Sequence, residues 1–355
     1  MSCINFNKIY QCSFSKELIQ QTRDLNKLLT LELELSYQCN YRCRYCYSMA
    51  PKKLTNELNL SEIMNIIDQA QDLCVKTIVI IGGGEPLLYP YIKEIIKYIF
   101  AKNINIIIFT NGANINREMA KFLFSYHVFP VLKMNGIVPK TMNWLCGNSD
   151  AYTNCIRALN NLYREGYVKD GLTIGISTII CRQNYEEIIP LWRWVRNSGL
   201  IPYFERVSAQ GRARNNNLEV SKEELRKIFD KLSSIDKLEY NNEWESSHPP
   251  IAGSTCSRHY YSLYIKADGN VIPCVGIDLE VGNIRNDSLQ NIMSKSEIIQ
   301  DLRHIDEKIK GKCRSCDMSG SCYGCRANAF IQSGDYLEED PLCWRNEKVQ
   351  YNNEK

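Results

Sequence analysis

Three observations predict an α/β fold: a parallel sheet covered by helices, with a small cysteine-rich domain after it. Strand-like and helix-like runs alternate in six steps over about 180 residues, close to the ~30 residues that one βαβ unit takes. The run Thr77-Ile78-Val79-Ile80-Ile81 is β-branched without polar alternation, the pattern of a strand buried on both faces. Ten of the 16 cysteines fall into two constellations, one directly after the first strand-like run and one beyond residue 250.

Residues 1–29 are too few for a folded domain and read as a strand or helix leading in, with Cys3 and Cys12 as incidental thiols. Leu31-Glu32-Leu33-Glu34-Leu35 alternates apolar and acidic residues, as a strand does. Apolar residues at Leu60, Ile63, Ile66, Ile67, Ala70 and Leu73 recur at helical spacing, with Ser61 near the start. After the 77–81 strand, helices are expected over 90–102, 117–124, 151–165 and 185–198, and strands over 105–110, 128–134, 172–180 and 200–207. From 216 to 250 the chain turns Asn-rich around one charged helix at 221–232 and closes on Ser246-Ser247-His248-Pro249-Pro250, which reads as a linker with a boundary near residue 250. Residues 251–345 then form the second domain and 346–355 a tail.

The first constellation is Cys39-Asn-Tyr-Arg-Cys43-Arg-Tyr-Cys46, a C-x3-C-x2-C loop. Three thiolates so close together are soft ligands for zinc or for an iron–sulfur cluster. Structural zinc needs a fourth ligand, and no Cys or His follows locally before Cys74. Three ligands on a four-iron cluster leave one iron open to a small molecule. Gly82-Gly83-Gly84-Glu85-Pro86 stands directly after the second strand, where a backbone without Cβ atoms admits a ligand at close range. The second constellation starts at Cys256. Asp268-Gly269 between apolar flanks signals a hairpin returning to Cys274. Cys313-x2-Cys316-x5-Cys322-x2-Cys325 follows, then Cys343; paired C-x2-C spacings are a strong metal signal, with a zinc ribbon as the alternative for 313–325.

With Tyr45 beside its last cysteine, the first loop completes C-x3-C-x-aromatic-C and resembles the cluster loop of the radical S-adenosylmethionine (SAM) enzymes. Gly82, Gly83, Gly84, Glu85 and Pro86 look like that family's G-G-E-P motif, and Asn111 stands in a turn similar to its T-N-G. Leu145-Cys146-Gly147 looks like its L-T-G turn with Cys for Thr. The C-terminal cysteines resemble the family's SPASM extension: Gly269 and Cys274 satisfy G-x4-C, and the last spacing departs from the pattern, x2 in place of x3 around Gly324. Lys133 to Asn135 departs too, since many relatives carry Ser-x-Asp there. Gly211-Arg212-Ala213 resembles a turn frequent in SPASM relatives, and Arg212 reads as a substrate or carboxylate clamp.

Alternation by itself leaves open sheet and barrel undecided; the resemblance implies a partial (β/α)6 barrel over 30–215. It also implies that Cys39, Cys43 and Cys46 hold a 4Fe-4S cluster whose open iron binds SAM, cradled by residues 82–86 and Asn111. Lys133 would pair with the SAM carboxylate, and Asn135 and Ser177 would face SAM or substrate. Cys313, Cys316, Cys322 and Cys343 would hold one auxiliary 4Fe-4S cluster, and Cys256, Cys274 and Cys325 the other. Some relatives supply a fourth cysteine where Ser262 stands here, so that second cluster keeps an open iron or takes a ligand such as His259. By the same resemblance, an external one-electron donor of flavodoxin or ferredoxin type would drive SAM cleavage to a 5′-deoxyadenosyl radical, which would remove a substrate hydrogen. An auxiliary cluster then accepts a second electron, or a thiol returns a hydrogen; Cys146 and Cys181 are the candidate catalytic donors.

Three function classes follow. The family's commonest role implies an oxidoreductase that oxidises or cross-links a peptide or protein, with a separate peptide-recognition protein because the first 29 residues leave no room for a leader-binding domain. An aminocyclitol or sugar dehydrogenase or epimerase is the small-molecule alternative. A non-catalytic electron carrier is the third, and it would need no SAM loop. A formal charge of +3 gives no case for nucleic acid or an anionic membrane, and no apolar run approaches the roughly 20 residues of a membrane span. No signal peptide precedes the cysteines, so metal ligation in the cytoplasm is expected rather than disulfides.

Overall fold

The computed structural model describes residues 14–246 and 250–345. After helix α1 (Lys16–Asp24), six parallel strands run side by side in chain order: β1 (Thr30–Leu33), β2 (Thr77–Ile80), β3 (Asn105–Thr110), β4 (Phe129–Lys133), β5 (Gly175–Ile180) and β6 (Ile201–Arg206). Between them lie α2 (Leu60–Asp72), α3 (Ile92–Ala101), α4 (Arg117–Ser125), α5 (Pro139–Cys146), α6 (Ala151–Arg164) and α7 (Ile188–Asn197). Parallel strands in chain order, each crossover carrying helix, are the winding of a (β/α) barrel. The outer edge of β1 pairs with a later strand, not with β6, so the ring stays open as a partial barrel.

Period-two side-chain alternation builds two cores from one set of strands. Ile78, Ile80, Ile106 and Ile108 face outward and pack with Ile63, Ile66 and Ile67 of α2 and Ile95 and Ile96 of α3. Val79, Ile107, Phe129, Val131 and Ile201 face inward and fill the closed end of the barrel. Each fully buried Ile or Val contributes about 1.5–3 kcal/mol relative to an exposed one. On β1 the same rule sends Leu31 and Leu33 outward and leaves Glu32 and Glu34 on the inner face, both buried.

The C-terminal residues continue this sheet. Strand β7 (Ser262–Ile265) runs parallel to β1 with Ser262 opposite Thr30, and the hairpin expected at Asp268-Gly269 returns as β8 (Asn270–Ile272), followed by β9 (Gly282–Asn283). Helix α8 (Lys222–Tyr240) precedes this segment, and five short helices follow: α9 (Leu289–Lys295), α10 (Glu297–Arg303), α11 (Ile305–Lys308), α12 (Gly311–Arg314) and α13 (Arg326–Ser333). A second core of Leu29, Tyr260, Tyr261, Ile277, Leu302 and Ile305 joins them to the start of β1.

The structure adjusts several expectations. Asn59, not Ser61, caps α2, with Glu62 returning the hydrogen bond in a capping box. Helix α5 was hidden in a stretch read as a turn; Pro139 opens it and Gly147, with φ 59, ends it in the left-handed region. Helix α8 extends to Tyr240, because Asp236 near its end is buried and pairs with Arg196 of α7 while accepting from Trp192 and Trp244 at 2.6 and 2.9 Å. Cys3, Cys12, Ser247, His248, Pro249 and the 346–355 tail lie outside the described residues. Among the described residues, no helix is long and apolar enough to cross a membrane.

Candidate active site and cluster-binding thiols

A cavity of about 260 Å³ occupies the C-terminal ends of the parallel strands, where barrel enzymes carry their sites. Cys39, Cys43, Cys46 and the glycines 82–84 line one end; Tyr45, Asn111, Lys133, Cys146 and Ser177 line the walls; Glu32, Tyr203, Glu205 and Arg258 line the other end.

The cysteine loop has no regular structure and is held from outside. Arg42 N and Arg44 N donate to Cys146 O and Leu145 O at 3.2 and 2.8 Å, so the end of α5 forms its floor. Arg212 Nε donates to Cys43 O at 2.7 Å and its Nη1 to Ala50 O, while its backbone N donates to Cys46 O at 3.0 Å. Arg212, read from the sequence as a substrate or carboxylate clamp, thus spends Nε and Nη1 on the loop it stabilises, and its side chain also borders the cavity. The three sulfurs are neighbours, and burial is the main force pushing the Cys39 thiol up to about 12.

The glycine triplet serves the loop's packing. Gly84 N donates to Ser36 O at 2.6 Å and Glu85 N to Gln38 O at 2.8 Å. A Cβ on Gly83 would stand 2.7 Å from Ser36 O, and one on Gly84 only 1.9 Å from Gln38 O. The side chains are therefore excluded by the cysteine loop's own backbone. Gly83 also holds φ +63, which favours glycine. Glu85 is buried and accepts from Leu87 N, Thr110 Oγ1 and Asn111 N, tying this turn to the end of β3; burial raises its carboxyl above the ordinary range. Pro86 is buried at the start of the next short turn. Asn111 reaches back to Asn40 Oδ1 at 2.7 Å, closing a ring of three loops.

On the walls, Lys133 Nζ donates to Ser177 Oγ at 2.9 Å, lies 3.8 Å from Glu205 and sits 5.3 Å from the centre of the Tyr45 ring. Asn135 is fully buried behind the wall; it donates to Tyr45 Oη at 2.8 Å and accepts from Ile179 N, which fixes Tyr45 in place. Thr178 turns away and donates to Met134 O. Cys146 is buried at the cavity edge, 3.7 Å from Tyr45 Oη. Cys181 is buried in a satellite core with Leu145, Val207 and Leu218, and burial pushes its thiol up to about 11; it does not line the cavity.

Two groups of C-terminal cysteines lie close enough together for their charges to interact. Cys274 and Cys325 each feel the charge of Cys256, and Cys322 feels those of Cys313, Cys316 and Cys343. Burial pushes Cys322 up to about 12 and Cys325 up to about 11, and all 14 described cysteines are free thiols. Among the described residues, no three His, Cys, Asp or Glu side chains converge on a single-ion geometry. A four-iron cluster distributes its thiolates over separate irons and does not require such convergence. Ser262 is buried on the same face of β7 as Tyr264, and its Oγ has no hydrogen-bond partner among the described residues. His259 is buried against Tyr260, ring centres 4.2 Å apart, and burial lowers it to about 3, so it stays neutral.

Sequence reasoning passed over the far end of the cavity. Glu32 accepts from Arg258 Nη1 at 3.1 Å, and Glu205 and Tyr203 stand beside them. It also passed over Glu34, which accepts from Tyr264 Oη at 2.6 Å directly beneath Gly83. The signal was the acidic half of the β1 alternation, which in a barrel points inward rather than to water.

Residues 33–195 match the radical SAM superfamily, and residues 256–317 match SPASM, an iron–sulfur cluster-binding domain. The AdoMet-dependent heme synthase of Methanosarcina barkeri is 24% identical over 87% of this chain and 94% of its own length. The mycofactocin maturase MftC of Mycolicibacterium smegmatis is 27% identical over 92% of this chain and 85% of its own. Among solved structures, SuiB of Streptococcus suis bound to the precursor peptide SuiA superposes with a TM-score of 0.71 at 20% identity, covering 92% of this chain and 78% of SuiB.

Proposed function

The chain belongs to the radical SAM superfamily and carries an iron–sulfur SPASM domain, and we propose that it is an oxidoreductase that oxidises or cross-links a peptide. Its cofactors are SAM and 4Fe-4S clusters, and the residues present suit them: three sets of neighbouring free thiols, one of them at the cavity end beside Gly82 and Gly83. Cys39, Cys43 and Cys46 would hold the cluster that binds SAM, with the other two sets holding auxiliary clusters. When bound, these groups supply reductive cleavage of SAM, hydrogen-atom removal from the substrate and an exit for the second electron. The chain's own part is to place and to shield. Tyr45, fixed by Asn135, and Lys133, held by Ser177, define the wall along which SAM would lie. Glu205, with Lys133 at 3.8 Å and no closer charged partner among the described residues, and the Glu32–Arg258 pair present charge to whatever enters the far end.

The observation that carries a peptide over a small molecule is a second opening. A cleft of about 720 Å³ lies between the barrel and the C-terminal hairpin, lined by Tyr37, Met49, Arg214, Lys266, Asp278 and Phe330. It shares Tyr47, Ser48, Gln210 and Val275 with the central cavity, so an extended chain lying in the cleft can present one side chain inward. The proposal includes an external one-electron donor and a separate recognition protein for the peptide, in the cytoplasm, where thiols stay reduced. A small polar substrate is the second reading, favoured by the charged groups around the inner cavity, Glu32, Lys133, Glu205 and Arg258 among them, and by the similarity to heme synthases. Anaerobic protein given SAM and dithionite should form 5′-deoxyadenosine, and a peptide substrate should lose two hydrogens per 5′-deoxyadenosine formed. Replacing Lys266 and Phe330 with Ala should then raise KM for the peptide without changing SAM cleavage in its absence. A KM unmoved by that change, with turnover intact, would favour the small-molecule reading.

A further inference from the structure

We propose that Arg206 and Arg326 donate N–H groups to the auxiliary iron–sulfur clusters and set their reduction potentials; the inference rests on the cofactor assignment above. The two residues are 6% and 4% exposed. Arg206 uses Nη1 on Val207 O at 3.2 Å, and Arg326 uses Nη1 on Tyr336 O and Glu338 O at 3.0 and 2.5 Å. In both, Nε and Nη2 are buried and have no hydrogen-bond partner among the described residues. A guanidinium cannot shed its charge, and burying it with bare donors is costly unless an anion or acceptor completes it. Two such groups in one region indicate one kind of acceptor, anionic and buried, beside each.

Their positions name it. Along β6, Tyr203 and Glu205 line the cavity and Phe204 packs on the buried outer side, while Arg206, at the strand end, borders both the cavity and a groove beside Ile180, Leu225 and Leu342. There the strand end lies against the segment that leads to Cys256: Arg206 N donates to Pro250 O at 3.0 Å and Ala252 N to Phe204 O at 2.9 Å. Arg206 is close enough to Cys325 for its charge to favour that thiolate. Arg326 follows Cys325 in the chain and bears in the same way on Cys313, a member of the other set. The buried carboxylate nearby is already engaged: Asp340 accepts from Cys325 N at 2.8 Å, from Leu342 N at 3.0 Å and from Asn328 Nδ2. Thiolate-ligated clusters are sulfur-rich and anionic, and N–H donors to sulfur stabilise the reduced, more negative state, which raises the potential. An auxiliary cluster so placed accepts an electron more readily.

The test uses the full chain with Cys39, Cys43 and Cys46 changed to Ala, so that auxiliary clusters alone contribute to the signal. After anaerobic reconstitution, iron is counted and the clusters are titrated potentiometrically with electron paramagnetic resonance as the readout. Arg206→Gln should shift one auxiliary cluster to a more negative midpoint and Arg326→Gln the other, and Arg206→Lys and Arg326→Lys should restore part of each shift. Loss of four irons in a Gln variant with retention in its Lys counterpart would support the same assignment. Midpoints that stay in place in both Gln variants at full iron content would overturn it. A parent protein whose C-terminal thiols bind zinc or no iron would overturn the cofactor reading itself, a distinct result visible before any arginine is changed.

Discussion

The two cysteine regions are completed in different ways. Around residues 39–46 the protein satisfies itself: α5, Arg212, Asn111 and the glycine turn each donate to or accept from the loop. Around the C-terminal thiols, Arg206, Arg326, Ser262 and Asn328 keep buried polar atoms with no partner among the described residues. The first set lies within one loop on a rigid barrel, whereas the second is drawn from Cys256 to Cys343 across short helices and irregular chain. The contrast teaches that the 39–46 end is preorganised by the fold, while under the proposed cofactor assignment the C-terminal end is completed by what it binds, so folding there is coupled to cofactor loading.

The largest effect expected from this contrast is its direct test. Changing Cys39, Cys43 and Cys46 to Ala should abolish SAM cleavage and remove about four of about 12 irons per chain. Amide hydrogen exchange in β1 to β6 should stay as slow as in the parent. Changing Cys313, Cys316, Cys322 and Cys343 to Ala should instead deprotect the 311–343 segment. Equal loss of protection at both ends would break the comparison.

A smaller effect belongs to Arg212. Its fork grips Cys43 O and Ala50 O at once, so Arg212→Ala should lower SAM cleavage by about 10–100-fold, the range for partners that orient a metal's ligands. Auxiliary iron should be unchanged. A lysine offers one point charge where two carbonyls need a fork, so Arg212→Lys should recover little. Full activity in either variant would mean the loop holds itself. Gly83→Val would not probe SAM approach cleanly, because its side chain would meet Ser36 O beside the cysteine loop.

Much of this was legible in sequence, for physical reasons. Strand and helix periods gave β2 to β6 within a few residues, because buried parallel strands and amphipathic helices carry their environment in their pattern. The division of the C-terminal cysteines into two sets came from the family resemblance, not from their spacing. What escaped were relations between distant segments. Nothing local shows that β7 would pair with β1, that Arg212 would grip a loop more than 150 residues earlier, or that Arg258 would meet Glu32. Asn135 stood in a suggestive place by alignment with a motif and Cys181 was a candidate hydrogen donor, yet both side chains are turned into the protein.

The smallest effect tests how complete the barrel side is. Glu34 is buried beneath Gly83; burial is the first cause raising its carboxyl to about 7, opposed by donors from Tyr264 Oη at 2.6 Å and Ala267 N at 3.2 Å. The hydroxyls of Tyr47 and Tyr264 lie 2.6 Å apart, so one network joins Glu34 to the cysteine loop. A carboxyl raised in the fold favours its neutral form. Its contribution to stability is therefore full below the unfolded value of 4.5 and is lost as pH rises through about 7. Between about pH 6 and about pH 8 the cluster-loaded protein should lose on the order of 1 kcal/mol from this group, read as a fall in anaerobic unfolding midpoint. Glu34→Gln keeps the shape and removes the titration, so its stability should vary less over that window. An identical slope in the variant would place the pH dependence elsewhere. A flattened slope would show that even the self-satisfied end of the molecule keeps one group whose charge the fold resists.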